Sequence, residues 1–208
     1  LTPLSELVES KDPEIRANTY LVLGELGNPT AIPLIVESLG RGFTLLNPIR
    51  ARLVDLAAAE ALVKLGQESE IEPIRAALFA PPEQSELSIV ACDALGRLRD
   101  ERSRDMLERI VTVEGPGRRS PELRLAASKA LVEIGVRNDL AIATCREYAS
   151  DADPRIRAQV ASVLAVVPTE ESARMLAALV LDTDPTVKVS AAGGMAGFQA
   201  SAGSGGDR

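Results

Sequence analysis

Carboxylates are the residues of this sequence whose spacing could do chemistry. Asp151 and Asp153 are separated by one residue, and Glu170 is followed directly by Glu171. Paired carboxylates can act as general acid and base or bind calcium. Both pairs stand just before predicted helices, where carboxylates cap the N-terminus and interact favourably with the helix dipole. We therefore interpret them as helix caps rather than as a catalytic or calcium site.

Other signatures of catalysis or cofactor binding are missing from the sequence. It contains no histidine, which removes the commonest general base and metal ligand. Cys92 takes a small-residue position of a predicted helix and Cys145 an inward one, so we interpret both as buried structural thiols. Gly115-Pro116-Gly117 lacks the strand and helix that flank a phosphate-binding loop. The sequence therefore predicts no enzyme activity, no cofactor and no metal site.

Composition and charge narrow the class of protein. Aromatic residues make up 2% of the chain, which disfavours a β-sandwich or barrel. A net charge of −7 disfavours a nucleic-acid binder, because phosphates are neutralised by basic surfaces. No apolar run approaches the roughly 20 residues that span a bilayer. We take the cytoplasm as the default compartment. We leave export of a processed chain open, since the first residue is Leu1 rather than Met.

A short motif recurs along the chain and organises everything else. Asp12-Pro13-Glu14-Ile15-Arg16 returns as Asp153-Pro154-Arg155-Ile156-Arg157 and as Asp184-Pro185-Thr186-Val187-Lys188, with looser copies at Asn47-Pro48 and Ser120-Pro121. Asp, Asn or Ser can cap a helix, and Pro suits the first helical position. Apolar residues at spacings of three and four follow each copy, which indicates a helix with one buried face.

A second, shorter helical pattern precedes each of these helices, so the chain reads as six helix pairs. The shorter helices are predicted over residues 3–10, 30–39, 70–79, 103–113, 139–149 and 171–181. We predict one domain over residues 1–198 and a flexible Gly/Ser-rich tail over 199–208. The last helix carries Gly193, Gly194 and Gly197, each costing about 1 kcal/mol relative to Ala, which favours a frayed end.

This repeated pattern resembles HEAT repeats, in the short bacterial form first associated with phycobilin lyase subunits. The first repeat carries the resemblance most clearly, in Asp12-Pro13, Ile15-Arg16, Leu23-Gly24, Leu26-Gly27 and Ala31-Ile32-Pro33-Leu34. It implies an all-α fold, an α-α superhelix (solenoid) of about six HEAT-like helix pairs that stack to build a core. Asp55 and Ser88 stand where the pattern has a basic residue, so we expect the Asp–Arg ladder between repeats to be incomplete there.

Extended loops in repeats two, three and four suggest one binding surface, which we call the loop edge. Loop insertions in consecutive repeats project from one side of a solenoid, often the binding side. Aromatic and arginine side chains are the commonest interface anchors. The predicted contacts are Arg41, Phe43, Arg118 and Arg119, and their charge favours an acidic segment of a partner protein. Tolerated drift of exposed loops would produce the same insertions.

The concave face is the alternative binding surface, lined in HEAT proteins by the second helices. Its candidate residues here are Glu60, Asp93, Arg97 and Lys129. These charges are of mixed sign and are not interleaved with aromatics, which disfavours nucleic acid and membranes as ligands.

The function that the sequence favours is a non-catalytic scaffold or adaptor that binds another protein, within a larger assembly. The alternative is an accessory subunit resembling phycobilin lyases, which handle a tetrapyrrole. Five aromatic residues offer little material for such an apolar pocket: Tyr20, Phe43, Phe79, Tyr148 and Phe198.

Overall fold

A computed structural model describes residues 2–39 and 47–203 of this chain, with side chains over 4–39 and 47–197. Within these ranges the secondary structure consists of helices joined by turns, without strands. The helices are α1 Thr2–Ser5, α2 Pro13–Glu25, α3 Ile32–Ser38, α4 Pro48–Lys64, α5 Ile71–Ala77, α6 Ser85–Arg97, α7 Arg104–Thr112, α8 Pro121–Glu133, α9 Asn138–Tyr148, α10 Pro154–Leu164, α11 Glu170–Leu179 and α12 Pro185–Gly203. The all-α prediction is confirmed.

The predicted starts of the second helices are confirmed by their caps. The Asp12 carboxylate accepts from the Glu14 N–H at 2.8 Å, and Asp153 accepts from the Arg155 N–H at 2.8 Å. Asp184 repeats this bond for α12. The interpretation as a cap is therefore correct for Asp153, and Pro occupies the first turn of each of these helices because its missing N–H is not needed there. Helix α11 is instead capped by Thr169, and Glu170 and Glu171 lie in its first turn, where they interact favourably with the helix dipole.

Helix α12 extends further than the sequence predicts. It continues to Gly203, whereas a tail was expected from residue 199. Alanine, the strongest helix former, recurs in this stretch and offsets the nearby glycines. Gly194 also has a packing reason, because a Cβ there would lie 3.1 Å from Ala165 Cβ. Residues 204–208 lie outside the described residues, so a flexible tail remains a prediction for them.

The chain divides into two compact units, Leu1–Leu98 and Arg99–Arg208. In the first unit, α2 packs on α4, and α4 packs on α5 and α6. Its buried core includes Tyr20, Leu23, Ile35, Val54 and Leu62. Gly24 allows the close approach of α2 to α4, since a Cβ at that position would lie only 2.9 Å from Ala61 Cα.

The second unit repeats the same arrangement with other helices. Helix α8 packs on α7, α9 and α10, and α10 packs on α11 and α12. Its buried core includes Leu125, Cys145, Tyr148, Leu164 and Leu176. Each unit thus buries apolar faces by stacking successive helix pairs, as repeat proteins do.

Candidate functional site

The loop-edge residues are only partly within the described structure. Arg41 and Phe43 lie outside the described residues. Arg118 and Arg119 lie in the turn between α7 and α8, where Arg118 is exposed and Arg119 is half-buried. The Arg118 guanidinium donates to Glu114 Oε2 at 2.7 Å, to the Tyr148 hydroxyl at 3.0 Å and to the Glu147 carboxylate. These bonds tie the loop to helix α9.

Arg124, on helix α8, completes this charged cluster. Its side chain is buried and lies over the Tyr148 ring, 5.6 Å from the ring centre. It donates to the Tyr148 hydroxyl at 2.6 Å, to both oxygens of Glu147 at 3.1 Å and to Glu114 Oε1 at 3.1 Å. We call Glu114, Arg118, Arg124, Glu147 and Tyr148 the α9 cluster. Two arginines share two carboxylates, so Arg118 is less free to contact a partner than the sequence suggests.

Arg124 belongs to a set of equivalent residues that we call the bridging arginines: Arg16, Arg124 and Arg157. Each donates to a carbonyl in its own repeat, namely that of Ser10, Val111 or Asp151, at 3.1, 3.0 and 2.7 Å. Each also reaches the C-terminal end of the first helix in the following repeat, at Ser38, Glu147 or Asp182. This double contact explains why a basic residue recurs at this position of the motif.

The contact of Arg157 with Asp182 is the most regular of these bridges. Arg157 Nε and Nη2 donate to the two carboxylate oxygens at 2.8 and 2.9 Å. These hydrogen bonds, aided by one from the Asp184 N–H, hold the pKa of Asp182 far below its usual range. In the third repeat Ser88 replaces the arginine and donates to the Ala77 carbonyl of its own repeat at 2.9 Å.

The concave-face alternative contains one tight cluster, within the first unit. Glu60 is buried and accepts from Arg97 at 2.8 and 2.7 Å, while Lys64 lies 3.0 Å away. Lys64 also binds Glu25 at 2.5 Å, so helices α2, α4 and α6 are joined through four charges. We call Glu25, Glu60, Lys64 and Arg97 the α4 cluster.

Glu60 is buried and paired, so its role is structural. Desolvation alone would raise the pKa of Glu60, but the hydrogen bonds from Arg97 and Lys64 outweigh it and leave the pKa lowered. A carboxylate covered in this way is not exposed to a partner. Asp93 is half-buried in the first unit. Lys129 lies 3.6 Å from Glu133, one turn further along α8 in the second unit.

Phe79 is an exposed aromatic that sequence reasoning did not select as a contact. It follows α5, and 67% of its surface is exposed. Pro81 and Pro82 beside it are also exposed, whereas Leu78 and Ala80 are buried. The sequence placed Phe79 at the end of a helix with a buried face. The helix in fact ends at Ala77, and the signal available in the sequence was the pair of prolines that follows, Pro81 and Pro82.

The two thiols are buried as predicted. Burial raises the pKa of Cys92, and it raises the pKa of Cys145 to about 12, which leaves both thiols protonated at neutral pH. Over the described ranges, no three His, Cys, Asp or Glu side chains converge to hold a metal ion. None of the helices described is long and apolar enough to cross a membrane.

Comparison with known proteins places these features in a family context. Residues 117–196 match the family described as HEAT repeats. No curated protein matches the sequence significantly. The structure is similar to a designed armadillo repeat protein, with a TM-score of 0.51 and 13% identity over 95% of this chain and 99% of that one. An engineered protein of known crystal structure is equally similar, with a TM-score of 0.51 and 16% identity over 95% and 96% of the two chains.

A natural protein also shares the fold. The structure is similar to a chain of the CpcE–CpcF complex of phycocyanin lyase from Nostoc sp., with a TM-score of 0.52 and 19% identity. This match covers 92% of the present chain and 74% of the other. Identities this low show the fold alone. The chain therefore has the all-helical repeat fold of armadillo and HEAT repeat proteins, which confirms the predicted fold class. The match over residues 117–196 confirms the predicted resemblance to HEAT repeats.

Proposed function

We propose that this chain is a non-catalytic scaffold that binds a partner protein through its loop edge. The observation that carries the proposal is the exposure of Phe79 beside Pro81 and Pro82. An aromatic side chain offers a large apolar contact at low entropic cost, and such residues dominate the energy of many interfaces. Helical repeat folds of this kind supply binding surfaces rather than reactive groups.

The turn that carries Phe79 is held in place by its neighbours. The Phe79 N–H donates to the Ala76 carbonyl and the Ala80 N–H to the Ala77 carbonyl, both at 3.1 Å. From α6, the buried Ser88 hydroxyl donates to the Ala77 carbonyl at 2.9 Å. Because the flanking residues are anchored, the exposed ring needs little ordering when a partner covers it, which favours affinity.

The test compares single variants for retention of the protein that co-purifies with the chain. We expect Phe79→Ala to weaken binding by about tenfold or more, the loss typical of a central aromatic anchor. Val22→Ala is the matched control, since Val22 is also exposed but lies on α2 in the first repeat, outside repeats two to four. Circular dichroism before the assay verifies that both variants are folded.

The two candidate surfaces are separated by two double variants. Arg118→Glu with Arg119→Glu reverses charge at the loop edge, and we expect it to weaken an acidic partner. Asp93→Ala with Lys129→Ala changes the concave-face candidates. Release of the partner by this second pair alone, with every variant folded, would contradict the loop-edge proposal.

A second candidate function is an accessory role in handling a tetrapyrrole. The likeness of fold to the CpcE–CpcF complex of phycocyanin lyase supports it. Absorbance spectroscopy of the purified chain with an added open-chain tetrapyrrole tests it, because binding shifts and sharpens the visible bands. An unchanged spectrum at micromolar concentrations of both components would contradict this role.

A further inference from the structure

We propose that the part of the loop edge around Phe79 binds an arginine side chain of the partner protein. This inference rests on the proposed function, and it names the chemistry that the partner would present to the first unit. Asp55 supplies a carboxylate for the guanidinium, and the Phe79 ring supplies an apolar surface beside it. We call Asp55, Phe79 and Glu83 the Phe79 site.

An arginine already occupies the corresponding place in three other repeats. The bridging arginines extend from their own second helix to the end of the next repeat's first helix, at Ser38, Glu147 or Asp182. In the second repeat the residue at this position is Asp55, which is shorter and carries the opposite charge. The end of α5 therefore receives no cation from this position of α4, and an arginine from a partner would supply it.

Asp55 and Phe79 lie on the same side of the first unit. Arg52, about one turn before Asp55 on α4, donates to Gln84 Oε1 at 2.7 Å. The Arg52 charge also acts on the Asp55 carboxyl, as expected for residues three positions apart on one helix face. This face of α4 is thus turned towards residues 78–84, the segment after α5 that carries Phe79.

The charges around this segment leave one carboxylate in excess. Apart from the α4 cluster and Asp93, the described charges of α4, α5, α6 and residues 78–84 are four carboxylates and three guanidiniums: Asp55, Glu72, Glu83 and Glu86, with Arg50, Arg52 and Arg75. Arg75 bonds to Glu72 at 2.6 Å, and Arg50 lies 4.0 Å from Glu86. One guanidinium, that of Arg52, remains for the other two carboxylates, so a cation from a partner is complementary to this surface.

Both side chains of the site suit a guanidinium. Partial desolvation raises the pKa of the Asp55 carboxyl, and the nearby Arg52, which lowers it, does not offset this effect. A bound cation would therefore stabilise the charged form of Asp55. The Phe79 ring is exposed, and arginine stacks on aromatic rings, as Arg124 does 5.6 Å from the centre of the Tyr148 ring. Arginine can make this contact while its N–H groups bind a carboxylate.

A peptide titration followed by amide proton–nitrogen correlation spectra of the full chain tests the site. The probe is acetyl-Gly-Gly-Arg-Gly-Gly-amide, and we expect it to shift the amide signals of Asp55, Phe79 and Ala80 with a Kd of about 1 mM, as suits a single side chain. The same peptide with Glu in place of Arg should shift none of them. Equal shifts with both peptides would overturn the inference.

Two neutral variants show whether the Asp55 carboxylate is responsible. We expect Asp55→Asn to weaken binding of the arginine peptide about tenfold, because the charge-assisted hydrogen bonds are lost. Glu14→Gln is the matched control, since Glu14 is an exposed carboxylate on α2 in the first repeat, and it should leave the titration unchanged. Equal binding by Asp55→Asn and wild type would contradict the assignment of Asp55.

Asp55→Arg places the missing cation in the chain itself. We expect this variant to raise the unfolding temperature by about 2–4 °C and to abolish binding of the arginine peptide, because its own side chain occupies the site. Asp55→Asn, which removes the carboxylate without supplying a cation, should gain distinctly less. An unfolding temperature that Asp55→Arg leaves unchanged would show that this position does not accept a bridging cation and would overturn the inference.

The outcomes separate this inference from the proposed function. Release of the partner by Phe79→Ala, together with an arginine peptide that shifts none of the signals, would show that the partner binds without an arginine and would overturn this inference alone. A partner that stays bound to Phe79→Ala would overturn the proposed function. In that case the peptide titration still decides whether the Phe79 site binds a guanidinium.

Discussion

Single arginines explain much of the motif from which the repeats are predicted. Arg16, Arg124 and Arg157 each satisfy a carbonyl of their own turn and a group at the end of the next repeat's first helix. The sequence predicts their recurrence and the gap at Ser88, because both follow from aligning the copies. Their partners were not predictable, since these lie up to 25 residues away, as Asp182 does from Arg157, and outside the motif.

Glu60 shows where reasoning from helical position fails. Its place on an outward row of α4 predicts exposure, yet the residue is buried. Arg97 and Lys64 cover it with long side chains whose apolar stems also exclude water. Pairing between successive repeats depends on how their helices pack together. The residue pattern of a single helix does not reveal it.

Stability should depend on pH through Glu60. Its pKa is lower in the folded chain than the ordinary value of 4.5, so the ionised carboxylate favours the folded state. This contribution is complete above 4.5 and is lost as the pH falls through the folded-state pKa. In urea unfolding, we expect the free-energy gap between wild type and Glu60→Gln to be widest at pH 7 and to narrow below pH 4.5. A gap independent of pH would mean that the ion pairs contribute nothing.

At the scale of elements, the sequence predicts the helices well and their ends less well. Periodic apolar residues and Asp-Pro openings locate the second helices to within a few residues, because cap and stripe agree. The end of α12 was misplaced because several glycines there suggested fraying, while the packing of Gly194 against Ala165 was not visible. The exposed turn at Phe79 was missed because the predicted helix over residues 70–79 is too long. Helix α5 ends at Ala77, so Phe79 lies in the turn that follows it.

Core positions in central and terminal helices should differ in their contribution. Leu131 on α8 is fully buried, so Leu131→Ala should lower the free energy of unfolding by about 2–5 kcal/mol. Met195 on α12 is only partly buried at the edge of the core, and Met195→Ala should cost distinctly less. Chemical denaturation of both variants measures the difference. Equal losses would show that α12 is packed as tightly as α8.

For the whole molecule, fold class was predictable and function only coarsely so. Repetition appears six times in the sequence, so errors in one copy are corrected by the others. A binding surface has no such redundancy. Arg118 was predicted as a contact for an acidic partner, but its bond to Tyr148 depends on how α9 packs beside the loop. Such contacts form only when separate helices pack side by side, and a local sequence motif does not predict them.

Net charge gives a prediction for the chain as a whole. At −7, and with charges of mixed sign along its helices, the chain should not be retained on immobilised double-stranded DNA at about 0.15 M salt. Chromatography with a salt gradient checks this. Elution well after the void, moving earlier as salt rises, would show a phosphate-binding surface and contradict the prediction.

The bridging arginines give the array a direction that matters when repeats are gained or lost. Removing the last helix pair would take away Asp182 and leave Arg157 as a cation without its carboxylate. Removing the first pair would take away Arg16 and leave the Ser38 carbonyl, which water can satisfy. Lys64 would lose Glu25 but would keep the carboxylate of Glu60. Shortening is therefore easier from the start of the chain than from its end. A lineage that trims and extends such arrays would keep the trailing repeats longest.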